Sequence, residues 1–380
     1  MQRLQLEPRP DWRQECESVG FNYHSMDGIY WDESHCYRLT AAEVAELESA
    51  TRALHELARE AVEHIIASDL FDRLAIPPGF VEYVKSSWRT AQPTLAGRFD
   101  LAYDGSGPPK LLEYNADTPT ALLEASVVQW RWLEQAIRPR IPEADQFNSL
   151  HEKLLASWRA IAITFSADAP VHFACVKDSD EDLGNIGYQR DLAAQAGLAT
   201  RFVYIEDIGW ASEAGLFVDR ENEPITVLCK LYPWEWLIRD EFGPHLTQVP
   251  LRLFEPAWKM LLSNKALLPI LWELNPGHPN LLPAAFERWR ISGDYVQKPI
   301  YSREGANVTL YRGAEVLREG GSYGGEGWIY QAYTPIAHFD DSYAVIGSWI
   351  VGDEPAGIGI REDPTPITRN SSRFVPHYFT

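Results

Sequence analysis

Alternation of apolar and polar side chains is clearest between positions 97 and 117. In a strand beginning at Gly97, Phe99, Leu101 and Tyr103 fall on one face, and Arg98 and Asp100 on the other. After the turn Asp104-Gly105-Ser106-Gly107-Pro108-Pro109, a return strand sets Leu112 and Tyr114 against Glu113 and Asn115. These two runs predict a β-hairpin. If its polar faces coincide, an arginine, two carboxylates and an amide oxygen share one patch over an apolar reverse side, and such a patch suits a hard cation.

Helical spacing governs the flanks. Thr40 and Glu43 have capping-box spacing, and Val44, Leu47, Thr51, Leu54, Leu57, Ala58, Ala61, Val62 and Ile65 recur on one face, which predicts a long helix. Pro77-Pro78-Gly79 ends that region, and a shorter helix with Tyr83, Val84 and Trp88 leads into the hairpin. Beyond it, residues 118–138 read as a helix closed by Pro139 and Pro142, and residues 150–163 as another that stops at Asp168-Ala169-Pro170. The run from Val171 to Val176, a helix through Tyr188 to Ala196, the Gly197 stop and the run Arg201 to Ile205 predict a β-α-β unit. An open α/β subdomain over about 170–230 follows.

The last third alternates strands with glycine turns. Tyr295 to Pro299 reads as a strand that delivers Lys298 to the loop 301–307, and a second turn, 320–327, leads into residues 328–333. Neither turn matches a P-loop or a dinucleotide fingerprint, yet each offers backbone N–H groups that suit phosphate, or serves as a plain hairpin turn.

Composition narrows the classes. The 380 residues leave room for a large core, and 14 tryptophans suit both that core and aromatic-lined crevices. A net charge of -20 disfavours nucleic acid and anionic membranes, and it serves either solubility or the capture of a cationic substrate. The scattered cysteines 16, 36, 175 and 229 form no metal or redox motif and point to a reducing compartment. No run of about 18 apolar residues and no basic-then-apolar leader occurs, so the expectation is a cytoplasmic protein. At the carboxyl end of the first strand of the β-α-β unit lies the acidic stretch 178–182, with Asp180, Glu181 and Asp182. Ligands of open sheets gather there; an amine would suit it, and so would a solvated loop that caps the next helix.

Asp100, Glu113 and Asn115 are apt Mg²⁺ ligands, Lys265 and Lys298 are isolated lysines in apolar surroundings, and Arg98 would sit where charge builds up in phosphoryl or acyl transfer. A structural salt-bridge network accounts for the same residues. Several motifs in order, Gly97-Arg98-Phe99-Asp100, Glu113-Tyr114-Asn115-Ala116-Asp117, Lys230 to Trp236, Asn264-Lys265, Lys298-Pro299, Arg303 to Asn307 and Gly359-Ile360-Arg361-Glu362, resemble the glutathionylspermidine synthase family over nearly all of the chain. That resemblance implies an α/β ATP-grasp fold across 1–380, permuted so that the metal ligands precede the lysines, with the lysines and phosphate loop within about 256–361. It implies Mg²⁺ on Asp100, Glu113 and Asn115, and ATP contacts from Lys265 and Lys298. Glu304, Gly305, Ala306 and Asn307 would close over the phosphates, and Gln331 and Tyr333 would lie near the adenine. Arg98 and Arg361 would act as catalytic cations. The implied reaction joins a peptide carboxylate, glutathione in the named family, to an amine, a polyamine there. With the synthetase motifs beginning by Arg98, no counterpart of the amidase domain of bifunctional members is expected in residues 1–97. The alternatives are a nucleotide- or polyamine-binding protein without catalysis, and a ligase with another acid and another amine, including a protein or peptide side chain as acceptor.

Overall fold

The computed structural model describes residues 1–26, 28–164 and 169–380. Its centre is a sheet whose strands run in the order Arg373–Val375, Glu354–Asp363, Ser342–Val351, Ala96–Ala102 and Lys110–Asn115, all antiparallel, with Ala337–Phe339 also pairing the third. The expected hairpin is therefore one edge of a larger sheet. Thr40 accepts from the Glu43 amide and Glu43 reaches back to the Thr40 amide, which opens a 27-residue helix, Ala41–Ala67. Its buried face, including Leu47, Leu54 and Ala58, shares one core with Phe99, Leu101, Tyr114, Ile346 and Ile360 on the reverse of the sheet. With one face sealed by carbon, the polar side chains of these strands are left to the other.

A parallel four-stranded sheet, in the order Arg252–Phe254, Val227–Lys230, Val171–Cys175 and Thr200–Tyr204, contains the β-α-β unit. A five-stranded antiparallel sheet carries Tyr295–Pro299 between Trp328–Ala332 and Thr309–Arg312. A strand of Gln2–Gln5 pairs with His35–Leu39.

Two local readings change. The helix expected over 118–138 runs from Leu122 to Ile137, with wide turns at Glu124–Val128 and Leu133–Ile137, so residues 118–121 lie ahead of it. The helix of 150–163 is found at Leu150–Ala162, whereas Asp168, placed in its stop, lies outside the described residues. Asp180, Glu181 and Asp182 are not a loop. Ser179 accepts from the Asp182 amide and caps the helix Asp180–Gln195, so the three acids form its first turn, where free backbone N–H groups favour negative charge.

Candidate active site

Register decides the site. In the hairpin Arg98 lies opposite Asn115 and Asp100 opposite Glu113, so the four polar side chains do share one face. A bulge after Asp100 pairs Leu101 with Leu111 and frees Leu112, which lines the cleft instead of the apolar reverse side. That corrects the expected placement of Leu112. Its carbonyl accepts from Lys298 Nζ at 2.7 Å.

Two acids directly opposite each other repel, and cations from distant parts of the chain offset the repulsion. Arg98 Nε donates to Asp100 Oδ1 at 2.7 Å, and Arg361 Nη2 donates to Asp100 Oδ2 at 2.7 Å. Arg361 reaches it across the middle strand, in which Gly347 is the register partner of Asp100. A Cβ at Gly347 would sit 2.7 Å from Arg98 Cδ, so only glycine lets the arginine lie flat there. Lys265 Nζ stands 3.0 Å from Glu113 Oε2 and donates to the Ser302 carbonyl at 2.7 Å. Burial alone would raise the Glu113 carboxyl, but Lys265 and Lys298 outweigh it and hold the group well below its ordinary value. Burial pushes the Lys298 ammonium down to about 8, against the pull of Glu113. Asn115 Nδ2 lies 3.3 Å from both carboxylates.

Two adjoining cavities meet at this patch. One is polar and is lined by Arg98, Glu113, Asn115, Lys265, Arg303 and Arg361, with Glu304 and Gly305 above. The other is largely apolar, with Val296, Leu310, Ile336 and Val345 as walls and Lys298, Gln331 and Tyr333 at its polar positions. Gln331 accepts from Lys298 at 2.7 Å and donates to the Leu111 carbonyl at 2.9 Å. An apolar slot beside a cationic chamber has the form a purine base and its phosphates need. In the 304–307 loop, Glu304, Gly305 and Asn307 take positive φ, and a Cβ at Gly305 would lie 2.7 Å from both Ile367 Cγ2 and the Thr368 carbonyl. Asn307 lines neither cavity; its Oδ1 accepts from the Tyr323 amide and ties the loop to the 320–327 turn.

A third chamber adjoins the polar cavity through Thr118, Thr120, Arg303 and Glu304. Ala306 and the acidic turn line it. Asp180 is exposed at its rim, whereas Glu181 and Asp182 are half-buried. Burial first, then the neighbouring Glu181, pushes Asp182 up to about 7; burial also raises Glu181. Sequence patterns did not single out Thr120, whose carbonyl accepts from Arg98 Nη1 at 2.6 Å, or Glu235, 3.8 Å from Arg303. Nor did they single out the buried Tyr30–Glu124 pair. Arg303 was legible only as a member of the loop 301–307, and Glu235 only within the aromatic motif 230–236; neither has a periodicity of its own.

The glutathionylspermidine synthase preATP-grasp family matches residues 3–380. The chain belongs to this family. It is 42% identical to a Haemophilus influenzae protein that carries the name of an acid–amine ligase, over 98% of the chain and 97% of that protein. It is 33% identical to the Crithidia fasciculata trypanothione synthetase over 85% of the chain, and 28% identical to the Escherichia coli bifunctional glutathionylspermidine synthetase/amidase over 96%. The chain spans only 53% and 63% of those two longer proteins. A solved structure of a glutathione synthetase-like effector from Globodera pallida superposes with a TM-score of 0.62 at 9% identity, covering 98% of each chain, and so shares the fold. The family's mixed α/β fold is thus present from end to end.

As a test of fit for Mg²⁺, the donor set at the hairpin is two carboxylates and one amide. Among the described residues no three His, Cys, Asp or Glu side chains gather at metal-binding distance. Oxygen donors with room left for phosphate oxygens suit Mg²⁺, which seldom fills its shell from protein alone. The residues fit the ion.

Proposed function

We propose that this family ligase uses ATP and Mg²⁺ to join a carboxylate to an amine. The observation that carries the reading is convergence: Arg98, Lys265, Lys298 and Arg361, spread over more than half of the chain, surround Asp100 and Glu113 in one cleft. Four cations around two acids leave positive charge for a polyphosphate. In this reading Asp100, Glu113 and Asn115 hold Mg²⁺, which neutralises phosphate charge when bound. Lys265 and Lys298 contact the phosphates, Gln331 and Tyr333 border the base, and the 304–307 loop covers the polar cavity.

A substrate carboxylate attacks the γ-phosphorus of ATP and releases ADP. The amine then attacks the acyl carbon of the mixed anhydride, and phosphate leaves with the C–O bonding pair. Arg98, held flat by Asp100 and the Thr120 carbonyl, presents a fixed cation to the charge that grows in both steps. The amine must be neutral to attack, and a carboxylate with a raised pKa can take its proton. Glu181 and Asp182 supply such groups, with Asp180 at the rim as a further anionic contact for a cationic amine. A peptide carboxylate and a polyamine, the substrate classes in the relatives' names, are the first pair to try.

The test is ADP release with Mg-ATP against a panel of thiol peptides and polyamines, for the parent and for Arg98→Ala and Arg98→Gln. Turnover should fall by about 10²–10³-fold in both variants. Mg-ATP should still stabilise them, by about 3 kcal/mol at a hundredfold excess over Kd. Unchanged thermal stability of the parent with Mg-ATP would refute the reading. Binding without turnover on any acid and amine would leave a nucleotide-binding protein.

A further inference from the structure

A separate cavity lies between the turn at Ile205–Asp207 and the segment 237–251, on the far side of Tyr232 from the third chamber. Its walls are carbon: Phe217, Ile225, Leu228, Leu246 and Leu251 are buried core residues that still leave open space between them, and half-buried Ile208 closes one side. Such walls give water no hydrogen-bond partners, so the space gains most from a guest with its own carbon surface. The charge at the edge has one sign. Glu206, Asp240 and Glu241 stand there exposed, and no Lys, Arg or His is among the described residues that line the cavity. Tyr232 belongs to both walls; it donates to Asp240 Oδ1 at 3.3 Å, and its ring meets Trp236 edge-on at 5.6 Å.

We propose that this cavity binds a small amine with an apolar body, the body inside and the ammonium group against the carboxylates at the rim. Carbon walls select for size and hydrophobicity, while an unbalanced acidic rim rejects the corresponding acid; a polyamine, charged at intervals along its length, would have to bury ammonium groups against carbon. The site lies outside the nucleotide cleft and does not depend on the ligase reading.

Calorimetry on the whole chain without ATP tests the proposal, with 2-phenylethylamine against 3-phenylpropionate, a near-isosteric pair of opposite charge, and spermidine as the polar control. The amine should bind about tenfold or more tighter than the acid and than spermidine, and salt should weaken it. Ile208→Trp, which fills the cavity, should weaken the amine about tenfold or more. Asp240→Asn with Glu241→Gln should bring amine and acid to within about threefold of each other. Far-UV circular dichroism verifies that each variant is folded. Equal binding of amine and acid to the parent, no binding of the amine, or unchanged binding to folded Ile208→Trp would each overturn the proposal. Since no step requires turnover, a failure here leaves the ligase reading standing, and the converse holds.

Discussion

Replacing Glu124 by Gln should stabilise the protein by an amount that grows with pH. Glu124 is fully buried; Tyr30 Oη donates to its Oε1 at 2.7 Å, and among the described residues no hydrogen bond reaches Oε2. Tyr23, Tyr30 and Glu181 face it, and burial first, then the Glu181 charge, pushes the carboxyl from an ordinary 4.5 up to about 8. Between these two values the unfolded chain has lost the proton and the folded chain keeps it. Unfolding therefore releases a proton, and stability falls as pH rises through that window. At pH 7 the loss relative to acid is about 3 kcal/mol. Gln has the same shape, accepts from Tyr30 and never ionises. Urea unfolding of parent and variant at pH 5, 6, 7 and 8 should show a stability gap that widens by about 1.4 kcal/mol per pH unit and levels off above pH 8. A gap that is constant across this range would show that Glu124 is ionised in the folded protein and would refute its raised pKa.

The opposite limb belongs to His377, which is fully buried and held by burial at about 3 from an ordinary 6.5. Its contribution is whole above pH 6.5 and is lost as pH falls toward 3, so His377→Gln should flatten the acid side of a urea-midpoint profile. Lys230 and Asp117 form a buried pair at 2.7 Å, with Asp117 also accepting from the Trp234 amide at 2.8 Å. Lys230→Met leaves Asp117 buried without its cation and should cost about 3–5 kcal/mol in urea unfolding. Gly305→Ala forces a Cβ against Ile367 and Thr368 at positive φ, and should raise the KM for ATP about fivefold or more while the urea midpoint moves little, because the loop carries few core contacts.

The clearest parts of the fold in sequence were those set by short-range rules. The capping box at Thr40 and Glu43, the period of the following helix and the alternation through Phe99 and Leu101 depend on neighbours within a few residues, and each appears in the structure as its pattern required. The acidic stretch 178–182 stayed ambiguous because helix N-termini and ligand loops both favour Ser and Asp; the Ser179 cap bears out the capping alternative, with the three acids in the helix rather than in a loop before it. Leu112 misled because alternation assumes an unbroken ladder, and a bulge is a property of two paired strands.

By itself, the chain determined which residue types the site has to work with and which faces they take on their own strands. Arg98 and Asp100 share a face because strand geometry allows nothing else. Only the tertiary structure decided that Arg361 crosses the middle strand to reach Asp100, that Lys265 and Lys298 neutralise Glu113, and that Glu124 lies buried within reach of the Glu181 charge. The physical reason is range. Backbone sterics and periodicity act over a few residues, whereas burial and Coulomb interactions act through space between segments hundreds of residues apart.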